Sequence, residues 1–175
     1  STIWHARTRP ATLEAEAVSR ALEIARLADC TLYIVHVSCG DVVDAIAVAR
    51  RRGQVVYGET CPQYLFLTQD RLTGPHGKRY ICSPPLRTEV DQGSLWGAIA
   101  GSDLQVISTD HCPFTSAEKE SQPDFTRVPG GLPSIEARIS LVYTAVRRGR
   151  LSLCRWVDAC STTPARLFGY SRKGH

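Results

Sequence analysis

Short apolar segments that alternate with amphipathic ones are the feature that most constrains this fold. Thr31–Val37 (TLYIVHV) is β-branched, aromatic and continuously apolar, which is typical of a strand buried on both faces. We predict further strands at Val55–Glu59 and Leu104–Ser108, with another candidate at Arg79–Ser83 that two prolines end. Because helical segments separate the strands, the order implies parallel pairing with right-handed crossovers, and the predicted fold class is α/β.

The helices are predicted from apolar residues spaced three and four apart and from end signals such as Pro10 and Gly53. The predicted helices are Ala11–Ala28, Asp41–Arg52, Val90–Ala100, Ile135–Arg148, Ser152–Cys160 and Pro164–Phe168. The polar stretch His111–Gly131 is predicted to be a long loop. No glycine-rich phosphate loop follows a strand, which disfavours dinucleotide-binding and NTPase folds. An open doubly wound sheet and a (β/α) barrel both stay possible on this pattern.

Composition excludes several broad classes of protein. The chain has 175 residues, 43% of them hydrophobic, which fits one globular domain and excludes general disorder. No apolar run approaches the roughly 20 residues of a membrane span, and the first ten residues lack a signal-peptide core. The net charge is only +4, and the cluster Arg50–Arg52 suits the end of a helix, so neither nucleic acid nor a membrane is an expected partner. Since the chain has no Met, we expect Ser1 to be a processed end or the interior of a longer protein.

The seven cysteines are odd in number, and no two have the C-x-x-C spacing. Most of them fall inside apolar segments, which favours reduced, buried thiols over a disulfide scaffold or a zinc ribbon. We therefore expect a cytoplasmic protein.

Three predicted strands end in residues suited to chemistry, namely His36, Glu59 and Asp110. Because the carboxyl ends of parallel strands form one edge of the sheet, His36 and Asp110 are expected to face the same rim. Imidazole and carboxylate together suit zinc or a similar metal. His111 is the rival of Asp110, but successive residues leaving a strand point to opposite sides, and Asp110 is preferred.

The remaining candidates are weaker. His5, His76 and His175 are predicted to be surface residues. Cys39 and Cys112 follow two of the strand ends, so a Cys–His nucleophile is an alternative, although sequence neighbours seldom reach the necessary geometry. No G-x-S-x-G elbow is present.

Ordered motifs extend over nearly the whole chain. They are HARTRP, LYIVHVSCGDVVDAI, VVYGETCPQYLFL, YICSPPLR, LQVISTDHCPF, DFTRVPGGLP and STTPARLFG. Together they resemble the dihydropyrimidinase/hydantoinase branch of the amidohydrolase superfamily, and GETCPQYL, SPPLR and TDHCPF are the most specific. The resemblance implies a partial (β/α)8 TIM barrel, with about the last three strands and their helices. It makes residues 1–175 the C-terminal portion, a fragment, of a metal-dependent barrel domain.

The resemblance also implies a hydrolase that cleaves the cyclic amide of hydantoins or dihydropyrimidines to N-carbamoyl amino acids. Such enzymes carry two zinc ions bridged by a carboxylated lysine and use a metal-bridging hydroxide. His36 matches a metal ligand, and Asp110 matches a residue that is both ligand and catalytic acid–base. Ser83 and Gly130 match substrate-binding positions, the second of which is usually Asn. The full-length protein is expected to be a homo-oligomer, a tetramer.

Four of the family's six metal-binding residues have no counterpart in the chain. There is no H-x-H pair, and Lys78, Lys119 and Lys173 are predicted in loop or tail positions that exclude the bridging role. We therefore expect weak metal binding and little or no activity from the isolated chain. A non-catalytic assembly subunit, one half of a split enzyme, and an allantoinase- or dihydroorotase-type enzyme stay as alternatives.

Overall fold

The computed structural model describes residues 1–173, and at its centre is a three-stranded parallel sheet. The strands are β1 (Leu32–Ile34), β2 (Val56–Thr60) and β3 (Val106–Ile107). They lie side by side in chain order, without the reversal that marks the switch point of a doubly wound sheet. This order is the one that successive strands of a (β/α) barrel have.

The two faces of β2 have different surroundings. Val56, Gly58 and Thr60 are buried against the helices, whereas Tyr57 and Glu59 are half-buried on the other face. A Cβ at Gly58 would lie 2.7 Å from a methyl carbon of Leu104, so only glycine permits this close packing. The alternation fixes which side chains of the sheet meet the helical layer and which face inward.

The helices pack around this sheet and confirm most of the predicted ones. They are α1 (Trp4–Arg7), α2 (Ala11–Leu27), α3 (Gly40–Arg51), α4 (Pro62–Phe66), α5 (Glu89–Gly101), α6 (Ser116–Glu120), α7 (Arg138–Arg147), α8 (Leu153–Val157) and α9 (Thr163–Leu167). A π-helical turn, Asp158–Thr162, joins α8 to α9, so the last two predicted helices are one nearly continuous run. Arg50 and Arg51 lie in the last turn of α3, as predicted for cations at a helix end.

The predicted strand Arg79–Ser83 is wrong. The structure places a 3-10 helix at Gly77–Tyr80, and no strand pairs with the residues that follow it. A strand is stable only where a neighbouring strand receives its hydrogen bonds. The carbonyl groups of this segment bond the side chains of His5 and Lys119 and, at Ile81, also the amide of Gly131. The strand β1 is also shorter than predicted, because the backbone leaves the extended conformation at His36.

The predicted loop His111–Gly131 contains a helix, α6, that the polar composition of this stretch does not predict. Thr115 accepts a hydrogen bond from the Glu118 amide, and the Glu118 side chain accepts one from the Thr115 amide. This reciprocal capping box is what allows so short a helix to form in a polar segment.

The thiols are partly as predicted. All seven cysteines are free; Cys39, Cys61, Cys82 and Cys160 are buried, while Cys30 and Cys154 are exposed. Of the helices in residues 1–173, none combines the length and the apolar character that crossing a membrane requires.

Candidate functional site

The two predicted metal ligands share an unusual backbone conformation at the carboxyl edge of the sheet. His36 has a φ of +43° and Asp110 a φ of +45°, in the left-handed region that residues with a Cβ rarely adopt. The other such non-glycine residues within 1–173, Asp29 and Ser102, lie just after helices, where this conformation is common. At strand ends it is costly, and such conformations cluster at functional sites.

His36 and Asp110 follow strands that flank β2. Continuing the register of the sheet places His36 level with Thr60, which pairs with Ile107 three residues before Asp110. Two strand spacings, roughly 10 Å, separate β1 from β3, the strands that precede these two residues. Within the described part of the chain, neither side chain has a hydrogen-bond or ion-pair partner, so both are available to a ligand placed between them.

The carboxylate of Asp110 lies near two buried thiols. Burial raises the pKa of Cys82 to about 12, and the charge of Asp110 adds to that rise. Burial also raises the pKa of Cys61, with contributions from the carboxylates of Glu59 and Asp110. Cys82 directly precedes Ser83, so the charge of Asp110 acts beside the predicted substrate-binding segment.

Ser83 and Gly130 are brought together although 47 positions separate them. A Cβ placed on Gly130 would lie 3.5 Å from Ser83 Oγ and 4.0 Å from its amide nitrogen. Both residues are exposed, and their main-chain N–H and C=O groups bond no other group in residues 1–173. Adjacent free donors and acceptors of this kind are what a small polar ring can bind.

Side chains hold the segment that carries Ser83. His5 Nε2 lies 2.8 Å from the carbonyl oxygen of Cys82, and the Tyr64 hydroxyl donates to the carbonyl of Pro84 at 2.9 Å. The prediction that His5 lies on the surface is therefore wrong, because it is only 5% exposed. His76 is exposed as predicted, and His175 lies outside the described residues.

The rival residues have other environments. His111 Nδ1 accepts hydrogen bonds from the amides of Ser134 and Ile135, at 3.1 and 3.2 Å, and so supports that loop. Cys39 is fully buried, and burial raises its pKa to about 12. A protonated, inaccessible thiol is a poor nucleophile, which disfavours Cys39 in the Cys–His alternative.

The donor set at this edge suits a metal but does not complete a site. An imidazole and a carboxylate are both zinc ligands, and both are free here. Within residues 1–173, no group of three or more His, Cys, Asp or Glu side chains is placed to hold a metal ion. The described residues therefore supply part of a coordination shell.

Known proteins resemble the chain over almost all of its length. It is 47% identical over 176 residues to the D-hydantoinase of Streptomyces coelicolor and 46% identical over 178 residues to that of Geobacillus stearothermophilus, with 98% of the chain covered in both cases. The crystal structure of dihydropyrimidinase from Brevibacillus agri NCHU1002 matches 99% of the chain with a TM-score of 0.96 and 48% identity. The chain belongs to the dihydropyrimidinase/hydantoinase family.

The match covers only one part of the hydantoinase relatives. The chain spans 38% of both D-hydantoinases and 39% of the dihydropyrimidinase structure. No protein-family model matches it. The three consecutive parallel strands and their helices are thus part of a hydantoinase barrel, which confirms the predicted fold class.

Glu59 marks a strand end in the sequence, and in this hydantoinase segment it ties the strands together. Its carboxylate accepts hydrogen bonds from the Tyr33 and Ser108 hydroxyls, both at 2.7 Å. Burial and the bond to Glu59 raise the pKa of Tyr33. Glu59 therefore connects β2 to β1 and to the chain just beyond β3, beneath the edge that carries His36 and Asp110.

Lys119 is a further residue of this region, and it does not lie in a loop as predicted. It lies on α6, is 2% exposed, and bonds the main chain on both sides of the Ser83–Gly130 pair. The capping box of α6 is the one sequence signal that would have placed it on a helix.

Proposed function

We propose that residues 1–175 are the C-terminal portion of the catalytic barrel of a cyclic amide hydrolase. The reaction adds water to the ring carbonyl of a hydantoin or dihydropyrimidine and breaks the ring C–N bond, giving an N-carbamoyl amino acid. The observation that carries this proposal is a set of groups without hydrogen-bond partners within residues 1–173: the His36 imidazole, the Asp110 carboxylate and the main-chain groups of Ser83 and Gly130. The named activity of the D-hydantoinase relatives supports the same reaction class.

Ser83 and Gly130 bind the ring in this proposal. The N–H and C=O groups of a cyclic amide complement free main-chain groups, and a Cβ placed on Gly130 would lie 4.0 Å from the Ser83 amide nitrogen. A glycine at position 130 supplies main-chain contacts without a side chain, which leaves more room beside the ring. Substituents on the ring are therefore expected to be tolerated on this side.

Asp110 moves the proton. Its carboxylate is free and exposed, so it can accept a proton from the attacking water and then donate it to the leaving ring nitrogen. His36 and Asp110 would hold one side of a divalent cation, which we propose is zinc. When bound, the cation polarises the carbonyl and makes water more acidic.

The isolated chain is expected to have little or no activity. A catalytic zinc generally has about three protein ligands, and this edge offers two. We propose that the longer protein is cytoplasmic, a homotetramer, and binds a binuclear zinc centre whose remaining ligands come from strands other than these three.

A hybrid enzyme tests the proposal. Residues 1–175 replace the matching segment of the Streptomyces coelicolor D-hydantoinase, and hydrolysis is measured with hydantoin, dihydrouracil, allantoin and dihydroorotate. We expect zinc-dependent turnover of hydantoin or dihydrouracil, and loss of it in D110N and H36A but not in H111Q. A folded, zinc-loaded hybrid without activity would contradict the proposal and favour the assembly-subunit alternative. Turnover of allantoin or dihydroorotate alone would correct the substrate class.

A further inference from the structure

Lys119 is a buried cation whose hydrogen bonds all go to the main chain. Its ammonium group donates to the carbonyl oxygens of Ile81 at 2.7 Å, Gly131 at 2.6 Å and Arg79 at 3.2 Å. These three bonds use all three donors of a lysine. Burial lowers the pKa of Lys119. Within residues 1–173 its hydrogen bonds go to carbonyl oxygens and to no carboxylate.

The three carbonyl groups belong to the two segments that form the proposed substrate site. Ile81 is two residues before Ser83, and Gly131 directly follows Gly130. The Gly131 amide also donates to the Ile81 carbonyl at 3.0 Å, so the segments touch behind the exposed pair. Lys119 binds the main chain of both segments at this junction.

The backbone of Gly131 packs so closely against Cys112 that the contact between the two segments leaves no room for a side chain at this position. Gly131 has a φ of +157°, and a Cβ there would lie 2.4 Å from the Cys112 carbonyl oxygen. The backbone at Gly131 is therefore pressed against the chain that follows Asp110. A displacement of the Gly131 carbonyl would change the distance between Gly130 and Ser83 and also disturb Cys112.

We propose that Lys119 is a positioning residue that fixes the distance between the main-chain groups of Ser83 and Gly130, and through it the affinity for the ring of the substrate. This inference rests on the proposed function for the role of that pair. The ammonium group does not touch the substrate. It holds two carbonyl groups from different segments at one point, which no strand pairing does here.

Lys78 is the matched control for a lysine that only stabilises the same region. Its ammonium group also donates to two main-chain carbonyls, those of Glu120 and Gln122, but neither belongs to the Ser83 or Gly130 segment. Lys78 therefore bonds main chain at the end of α6, whereas Lys119 lies on α6 itself. Only Lys119 joins the two segments of the proposed site.

The kinetic test compares K119M and K78M in the hybrid enzyme. We expect K119M to raise KM for hydantoin so that kcat/KM falls by about 10- to 100-fold, with kcat changed much less, because the contacts to the ring exist before the reaction as well as during it. K119R keeps a charged donor and is expected to recover part of the affinity. K78M should leave KM unchanged. Equal effects of K119M and K78M on KM, or a loss confined to kcat, would overturn the proposal.

A second measurement uses the 175-residue chain and needs no activity. Amide hydrogen exchange in K119M, and in K119R should K119M not fold, is expected to accelerate at Gly131, whose N–H bonds Ile81. Exchange within β2 should be unchanged. An unaltered rate at Gly131 would contradict the positioning role even if the hybrid were active. If the unsubstituted hybrid is inactive but the Gly131 amide exchanges faster in K119M, the proposed function is wrong. The role of Lys119 in holding the two segments together would still stand.

Discussion

Arg87 and Lys119 are two buried cations beside the proposed site, and they are compensated differently. Arg87 donates to a carboxylate oxygen of Glu14 at 2.9 Å, to the hydroxyl of Ser38 at 2.9 Å and to the carbonyl of Arg9 at 2.5 Å. The ammonium group of Lys119 donates only to main-chain carbonyl groups. The Arg87 side chain is 8% exposed and that of Glu14 13%, so this is a buried ion pair.

Two kinds of contact therefore connect segments near the edge of the sheet: a buried ion pair, and a lysine bonded only to neutral carbonyl groups. The Glu14–Arg87 pair joins α2, the chain just before α3 and the segment after Pro85, and the amide of Ser38 donates to the same carboxylate. Removing one partner leaves a buried charge without compensation, which is strongly destabilising. Lys119 leaves only neutral carbonyls behind when it is removed, so its loss should affect geometry more than stability.

The largest expected effect is that of Glu14→Gln, which removes the charge that compensates Arg87. We expect the free energy of unfolding in urea to fall by about 3–5 kcal/mol. Glu16→Gln is the control on the same helix, because Glu16 pairs with Arg20 on the surface. It should cost less than about 1 kcal/mol. Similar losses in both variants would mean that Arg87 does not depend on Glu14.

The next effect is that of Lys119→Met on stability. The variant leaves the carbonyls of Arg79 and Gly131 without this donor, while Ile81 keeps the bond from the Gly131 amide. We expect a loss of about 1–3 kcal/mol in urea unfolding, smaller than that of Glu14→Gln. A loss equal to or larger than that of Glu14→Gln would show that the two cations are equally important to the fold.

The sequence predicts the parts of the molecule that depend on local pattern. The three parallel strands and the helices α2, α3 and α5 follow from hydrophobic periodicity and end signals, because those elements bury one face or both. The motifs also lead to the family and to the four candidate residues.

The remaining features depend on contacts between distant residues. His5 and Cys82 lie 77 positions apart, and no spacing rule connects them. Arg79–Ser83 has the composition of a strand, but no neighbouring strand pairs with it. The left-handed conformations of His36 and Asp110 are imposed by the surrounding fold, since their residue types do not require them.

Gln63 extends the comparison to a buried polar group with no partner at all. It is 4% exposed, and neither its amide nitrogen nor its amide oxygen has a hydrogen-bond partner within the described residues. We expect Gln63→Leu to raise the free energy of unfolding by about 1 kcal/mol, because an unsatisfied polar group is removed.

Gln105 provides the matched control for Gln63. Its side chain accepts from the Gly58 amide at 2.8 Å and donates to the carbonyl of Ser102 at 2.7 Å. The same substitution, Gln105→Leu, leaves the Gly58 amide unsatisfied and should destabilise the chain by about 1–3 kcal/mol. We therefore expect the free energy of unfolding to rise in Gln63→Leu and to fall in Gln105→Leu. A fall in Gln63→Leu would mean that the Gln63 amide has hydrogen-bond partners in solution.

The smallest expected effect concerns His5, which supports the same segment as Lys119 but without a charge. Burial lowers the pKa of His5 from its usual 6.5, with the charges of Arg9, Arg87 and Lys119 acting in the same direction. Below pH 6.5 the unfolded chain therefore binds a proton that the folded chain does not, so stability falls as the pH falls. We expect His5→Gln to reduce this loss of stability when the free energy of unfolding is measured between pH 7 and pH 5. The exposed control His76→Gln should lose stability as the unsubstituted chain does. If His5→Gln leaves the pH dependence of the free energy of unfolding unchanged below pH 7, the buried imidazole is not held neutral. The charges of Arg9, Arg87 and Lys119 would then have no effect on its pKa.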